Sequence, residues 1–354
     1  MWTGGGYFLR HLKWLGGLAA MVLLLSKPGA AAQGAAGAMV QWYASVVPSL
    51  FPFLALMPLL TCEEAVAAYE ALLARPMRRC FNLPGAVAPG MMIGLVAGTP
   101  AGAMAARDIA VRAGLNRGQL QRLAMATAGF SPAFLVSGIG ASMLNSPAMG
   151  WRLVGAQLLT QISLLLLLKH CWVLRTAPVC SSVSTMEERP IRGAMLGVLT
   201  ICGYMMLFGA LTSALGAWVG QIPAKALLCL LDVPSGALWV SGMALPESVK
   251  LPLLAGLCGF GGLCVIAQSL GVLKGCGVKA LEYICVRALA GLLCASYMVL
   301  LQKLPPNGSL RLIEPIRKNP LAVGGFIGAN LAVPVLIWRI KTILNNVNKR
   351  KNPA

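Results

Sequence analysis

The sequence predicts an all-α, polytopic integral membrane protein, and three observations carry that prediction. Of its 354 residues 58% are hydrophobic and 11% charged, where a soluble domain has roughly a quarter charged. Apolar runs of about twenty residues, the length a helix needs to cross a bilayer core, recur at 15–35, 40–61, 148–168, 193–217, 280–302 and 321–340. Between them lie apolar segments too short to cross, interrupted by Gly and Pro. Such breaks survive in hydrocarbon only where the freed backbone groups are buried in protein or face a water-filled cavity.

The N-terminal piece, 1–38, carries Arg10 and Lys13 ahead of an apolar stretch and then a run of small residues. This fits a signal peptide and also an uncleaved first helix; the uncleaved helix is favoured because a further membrane segment starts at once. With Arg10 and Lys13 cytoplasmic, the helix at 40–61 returns to the basic stretch Arg75, Arg78 and Arg79. The segment 62–83 is amphipathic, as a helix lying in the interface should be. The region 83–144 holds two breaks, Gly98-Thr99-Pro100-Ala101-Gly102 and Gly129-Phe130-Ser131-Pro132. Arg107, Arg112, Arg117 and Arg122 lie between them around the turn Gly114-Leu115-Asn116, which places this middle piece at the cytoplasmic surface.

A linker of mixed charge, 175–192, divides the chain. The second half repeats the order long helix, break, break, long helix, with breaks at Asp232-Val233-Pro234-Ser235-Gly236 and Gly259-Phe260-Gly261-Gly262. The matching order predicts two repeats, 39–174 and 193–303, either parallel or inverted, each with long spanning helices and broken or re-entrant ones. The remainder, 304–354, supplies a further membrane helix and a basic cytoplasmic tail.

The excess of 29 Lys and Arg over 10 Asp and Glu sits at the ends of apolar runs. That is an orientation signal and not a nucleic-acid footprint. The 11 cysteines include no Cys-x-x-Cys pair and the two histidines, His11 and His170, lie outside the apolar runs, so neither a metal site nor a cofactor is expected. Hydrolase, kinase and metalloprotease signatures are absent, and no enzyme is expected.

In transporters of several folds, half-helix termini at paired breaks hold the substrate or coupling ion. On that reading the backbone breaks are Gly98, Pro100, Gly102, Gly129, Pro132, Gly236, Gly259, Gly261 and Gly262, and the substrate-binding side chains are Thr99, Ser131, Asp232, Ser235 and Gln268. The competing reading is packing, since Gly94, Gly98 and Gly102 also form a small-residue face. Asp232 is the strongest candidate because an intramembrane carboxylate costs about 2.5–3.5 kcal/mol, unless it simply caps the next helix. Asp108 with Arg112 and Glu247 with Lys250 read as ordinary helix-face pairs. Glu282 reads as interfacial, and Arg287, deeper in its helix, lines a cavity or snorkels to the interface.

The strings Val47-Pro48-Ser49-Leu50-Phe51-Pro52-Phe53, Gly98-Thr99-Pro100-Ala101-Gly102-Ala103, Ser131-Pro132-Ala133-Phe134 and Gly259-Phe260-Gly261-Gly262-Leu263 with Gln268 together resemble the Gate-domain (nucleoside-recognition) membrane proteins, and among them the sporulation integral membrane proteins. The similarity runs over about 40–301. It departs at Thr99 and Met104, where the family usually carries Tyr and Lys, at Ala128 and Gly129, where it carries paired asparagines, and at Asp232, where it carries Glu. The resemblance implies a Gate-type fold related to nucleoside carriers and, in endospore formers, a role in spore cortex formation. The expected function is therefore a sporulation-associated, multi-pass protein of the cytoplasmic membrane that moves or binds a small, nucleoside-like solute between its repeats. Its partners would be membrane lipid and the solute, with no nucleic acid, whether it acts alone or as a homo-oligomer. The alternative is a non-transporting scaffold for a sporulation or envelope complex, and an intramembrane enzyme ranks last because only Asp232 offers a base.

Overall fold

A computed structural model describes residues 4–171, 177, 190–219 and 221–303. The expected membrane helix at 321–340, the basic tail and most of the linker lie outside the described residues. Every element within them is helical. Among the described residues, four helices or in-line helix pairs are long and apolar enough to cross a bilayer, or up to six if each of two bent pairs counts as one span.

The first bent pair is α1 (Gly4–Ser26) and α2 (Pro28–Gln41), which meet at 102° where Lys27 precedes a proline; the residue before proline disfavours the helical region, so the axis turns there. The helix expected to begin at 40 thus starts at Pro28 and runs through a π-turn, Trp42–Val46, into α3 (Val47–Thr61). Helices α2 and α3 pack along α9 (Pro190–Val219). Gly34 is what allows this: a methyl group there would lie 2.2 Å from the Gly209 carbonyl oxygen. Trp42 Nε1 donates to the Val198 carbonyl (2.9 Å) further along.

Helix α4 (Glu63–Phe81) turns 72° away from α3. Its acidic first turn and basic last turn suit the helix dipole. Glu70 on this interfacial helix accepts from the Ala86 amide (2.9 Å) and from Arg78 (2.7 Å). Those bonds, the backbone amide first, hold its carboxyl below the usual carboxylate range.

Each half then builds the same three pieces. In the first, α5 (Ala88–Val96) and α6 (Ala101–Arg112) form a hairpin. Next, α7 (Arg117–Ala126), started by an Asn116–Gln119 capping box, breaks and resumes as a π-helix, Phe134–Met143. That π-helix lies against α8 (Pro147–Leu167), the two backbones meeting at Gly140 and Gly150. In the second half, α10 (Gln221–Leu231) and α11 (Val233–Ser241) form a hairpin, α12 (Glu247–Phe260) breaks and resumes nearly in line as α13 (Gly262–Val272), and α14 (Ala280–Gln302) packs on α12.

End contacts fix the direction of each half. Arg107 on α6 donates to the Val272 carbonyl at the end of α13 (3.3 Å), and Arg117 lies against Gly277, so the α6–α7 turn shares one end with the α13–α14 turn. At the other end Gln302 of α14 donates to the Glu247 carbonyl that opens α12 (2.8 Å), and Gly155 of α8 meets Leu301. Hairpin α5–α6 therefore enters from one side and hairpin α10–α11 from the other, and the repeats are inverted. Arg75, Arg78, Arg79, Arg112, Lys169 and Lys274 mark the first side, against Lys27, Arg152, Lys250 and Lys303 on the second. An excess of basic residues is what the positive-inside rule associates with the cytoplasmic face. One apolar core fills the basic end around α7, α13 and α14, and a second fills the opposite end around the π-helix, α8, α11 and α12.

Candidate functional site

The hairpin tips and the two broken helices meet between these cores. At the first junction α7 ends and 127–131 is unwound. The tip of hairpin α5–α6 docks on it: the Thr99 amide and Oγ1 both donate to the Gly129 carbonyl (2.7 and 3.0 Å). Gly98 is in the left-handed region (φ 74°), and a methyl group there would lie 2.7 Å from the Ser131 amide nitrogen, so the tip needs glycine for both reasons. The Thr99–Pro100 bond is cis.

From α8 two glutamines reach the same stretch. Gln157 accepts from the Phe130 amide (2.9 Å) and donates to the Phe130 carbonyl (2.5 Å). One amide side chain thus repairs both backbone groups that unwinding exposes at that residue. Gln161 Nε2 lies 3.5 Å from the Thr127 carbonyl, and its buried Oε1 has no hydrogen-bond partner among the described residues. Ser131 Oγ accepts from the Phe134 amide (3.3 Å) and caps the helix that follows.

At the second junction Asp232 forms the tip of hairpin α10–α11. Its carboxylate accepts from the Ser235 amide (3.2 Å) and hydroxyl (2.5 Å), capping α11. The tip lies against the break in α12–α13: a methyl group at Gly262 would lie 3.2 Å from the Leu231 carbonyl oxygen. Gly261 and Gly262 both hold left-handed backbone (φ 90° and 72°), which ends α12 and starts α13. Arg287 of α14, 3% exposed, fills this junction. It donates through Nε to the Phe260 carbonyl (3.0 Å), through Nη2 to the Gly259 carbonyl and through Nη1 to the Ala128 carbonyl of the first junction. The two junctions are therefore joined by one guanidinium.

The residues nominated from sequence divide accordingly. Thr99 and Ser131 sit together at the first junction, and Asp232 with Ser235 at the second. Gln268 is buried on α13 beyond the break, where its amide meets Cys264 Sγ at 3.3 Å. Gly98, Gly129, Gly261 and Gly262 occupy the breaks, Pro100 caps α6, and Pro132 opens the helical stretch leading to the π-helix. Gly102, Gly236 and Gly259, expected as breaks, lie inside helices instead. Their smallness serves close approach: a methyl group at each would lie 2.7 Å from Gly94 Cα, 2.6 Å from Cys229 Cα and 2.7 Å from the Ala290 carbonyl oxygen, respectively.

Other expectations are corrected as well. Asp108, read as one half of a helix-face pair, is 1% exposed and lies buried within α6. Lys250 donates to the Ser241 carbonyl (2.9 Å) rather than pairing with Glu247. Arg287 lines the junction and does not snorkel. Gln157 and Gln161 were not nominated, although two glutamines four apart in an apolar helix are a legible signal for a polar face turned inward.

No family model matches the chain, and no solved structure matches it. It is similar to the sporulation integral membrane protein YlbJ of Bacillus subtilis (strain 168), with 25% identity over 325 residues that cover 79% of this chain and 79% of that one.

Proposed function

We propose that this chain is a sporulation-associated, multi-pass protein of the cytoplasmic membrane that binds a small, nucleoside-like solute at the meeting of its two repeats and carries it across. The observation that supports the carrier is the pairing of inverted hairpins whose tips, at Thr99 and Asp232, close on unwound segments of two broken helices. Irregular backbone at such depth is characteristic of carriers whose two halves rock around a central site. The likeness to YlbJ supports the sporulation role, and the Gate-domain resemblance supports the solute class. Thr99, Ser131, Asp232 and Ser235 present the polar groups nearest the tips, and lipid and solute would be the partners.

Single cysteines at Thr99, Ser131, Asp232 and Gly261 on a cysteine-depleted background test this. Water-soluble thiol reagents should label all four in intact membranes; protection at all four points to a dry, packed centre and removes the carrier. Asp232→Asn should abolish activity, read as heat-resistant spore yield, while the membrane level of the protein stays unchanged.

One observation favours a second reading, a non-transporting scaffold. Gln157, Thr99 and Arg287 already satisfy unwound backbone groups with protein, so the breaks need no water. Under that reading substitutions at Thr99 or Gln268 are silent, and changes to the linker or basic tail are not.

A further inference from the structure

Arg287 carries a full charge in the middle of the protein, and among the described residues no carboxylate lies within ion-pairing distance of it. A buried charge left uncompensated is strongly destabilising. The compensation comes from where its partners stand in the chain. Gly259 and Phe260 are the last residues of α12, and Ala128 stands in the unwound stretch two residues past Ala126, the last residue of α7. Carbonyls in the last turn of a helix have no amide within the helix to receive, and each helix C-terminus carries about half a negative charge. The C-terminus of α12 supplies about half a negative charge, and the unwound Ala128 carbonyl adds a further acceptor for the guanidinium.

Three carbonyl oxygens, two at a half-helix end and one in unwound backbone, have the chemistry by which membrane carriers hold small monovalent cations. Gly261 completes the arrangement. A methyl group at that position would lie 3.1 Å from Arg287 Nη2, so the glycine keeps the space the cation occupies.

The geometry points to a cation site, formed by the C-terminus of α12 and the unwound backbone after α7, that the protein fills with its own tethered guanidinium, so that removal of the Arg287 side chain opens a site for a free monovalent cation. In the carrier proposed above, on which this consequence alone rests, a cation that cannot leave cannot be the coupling ion.

The test uses the full chain, purified in detergent, with thermal unfolding as readout, so its outcome is independent of whether any solute is carried. Arg287→Ala should unfold at a lower temperature than the parent. Guanidinium chloride, far below denaturing concentration, or sodium chloride should restore part of the loss saturably, whereas choline chloride at equal ionic strength should not and the parent should not respond. A folded Arg287→Ala protein that no small cation stabilises, or that choline stabilises equally, overturns the proposal. If Arg287→Ala does not fold, Arg287→Lys and Arg287→Gln decide. The proposal requires the charged lysine variant to be the more stable; a glutamine variant as stable or more so overturns it, because hydrogen bonding alone would then suffice.

Discussion

The two junctions have the same architecture run in opposite directions, yet they are closed by different chemistry. In the first, neutral amides from α8 meet the unwound backbone, and Gln157 serves a donor and an acceptor on the same residue. In the second, a cation from α14 meets carbonyls only. The difference follows from how each helix stops. Unwinding over 127–131 exposes amides and carbonyls together, which an amide side chain can match in both senses. Two left-handed glycines end α12 abruptly, with the Gly261 amide paired to the Leu257 carbonyl (2.9 Å), and what is left over is acceptor. The first junction is closed within its own half, whereas the second reaches across to Ala128. The two halves thus share one backbone plan, and the second half supplies the tie between them.

That contrast can be broken at several points. Gly98→Ala should be the most damaging, costing about 3 kcal/mol, because it combines a left-handed backbone with a clash against the Ser131 amide. Gly262→Ala, in the break that receives the second tip and with its nearest contacts at 3.2 Å, should cost less, and thermal unfolding of the two variants side by side reads the difference. Equal losses would mean that the tips dock equally tightly. Gln157→Leu should come next at about 2 kcal/mol, since it leaves the Phe130 amide and carbonyl unmet in a buried place; a neutral result would place water in the first junction. Asp232→Ala should cost about 1 kcal/mol through loss of the α11 cap, and Asp232→Asn much less because the amide oxygen still accepts. Urea or thermal unfolding distinguishes these two variants.

The smallest effect lies outside both junctions and serves as their control. Glu70 has its carboxyl lowered in the folded state. It therefore contributes stability above the unfolded carboxylate value of about 4.3, a contribution lost as pH falls through the lower folded value. Glu70→Gln should be slightly less stable than the parent at neutral pH and equal to it in acid, measured as unfolding temperature against pH. A gap that persists in acid would assign the effect to packing.

Much of the plan was legible in the chain. Gly98-Thr99-Pro100 and Asp232-Val233-Pro234 stand in segments too short to span, and glycine and proline act through the backbone itself, so both hairpin tips could be placed before any contact was known. Which glycines break a helix and which only let helices touch was not legible. Gly102 and Gly259 sit beside real breaks in sequence, and only tertiary packing separates the two roles. The direction of the repeats was also hidden, because both hairpins return to the side they enter from, and loop charge alone cannot tell a hairpin from a crossing. Arg287 stood out as a charge in an apolar helix, but its partners are carbonyls 27, 28 and 159 positions away, and a carbonyl has no signature in sequence. Asp108 is the opposite case: its spacing to Arg112 is a local pattern read directly from the chain, whereas its burial is not.

The contact between α2 and α9 has a mechanical meaning. Sliding between helices normally takes place in the layer of side chains that separates them. At Gly34 and Gly209 that layer is missing, for a methyl group on either would run into the other helix's backbone, at 2.2 and 2.7 Å. The pair therefore behaves as one stiff beam, pinned at its outer end where Lys27 stacks on Trp218 and Ser26 receives its indole N–H. Such a beam is the stator of the molecule, the fixed member against which any displacement of the hairpins would be measured, and probes of motion referenced to α9 will read the hairpins without interference from the frame.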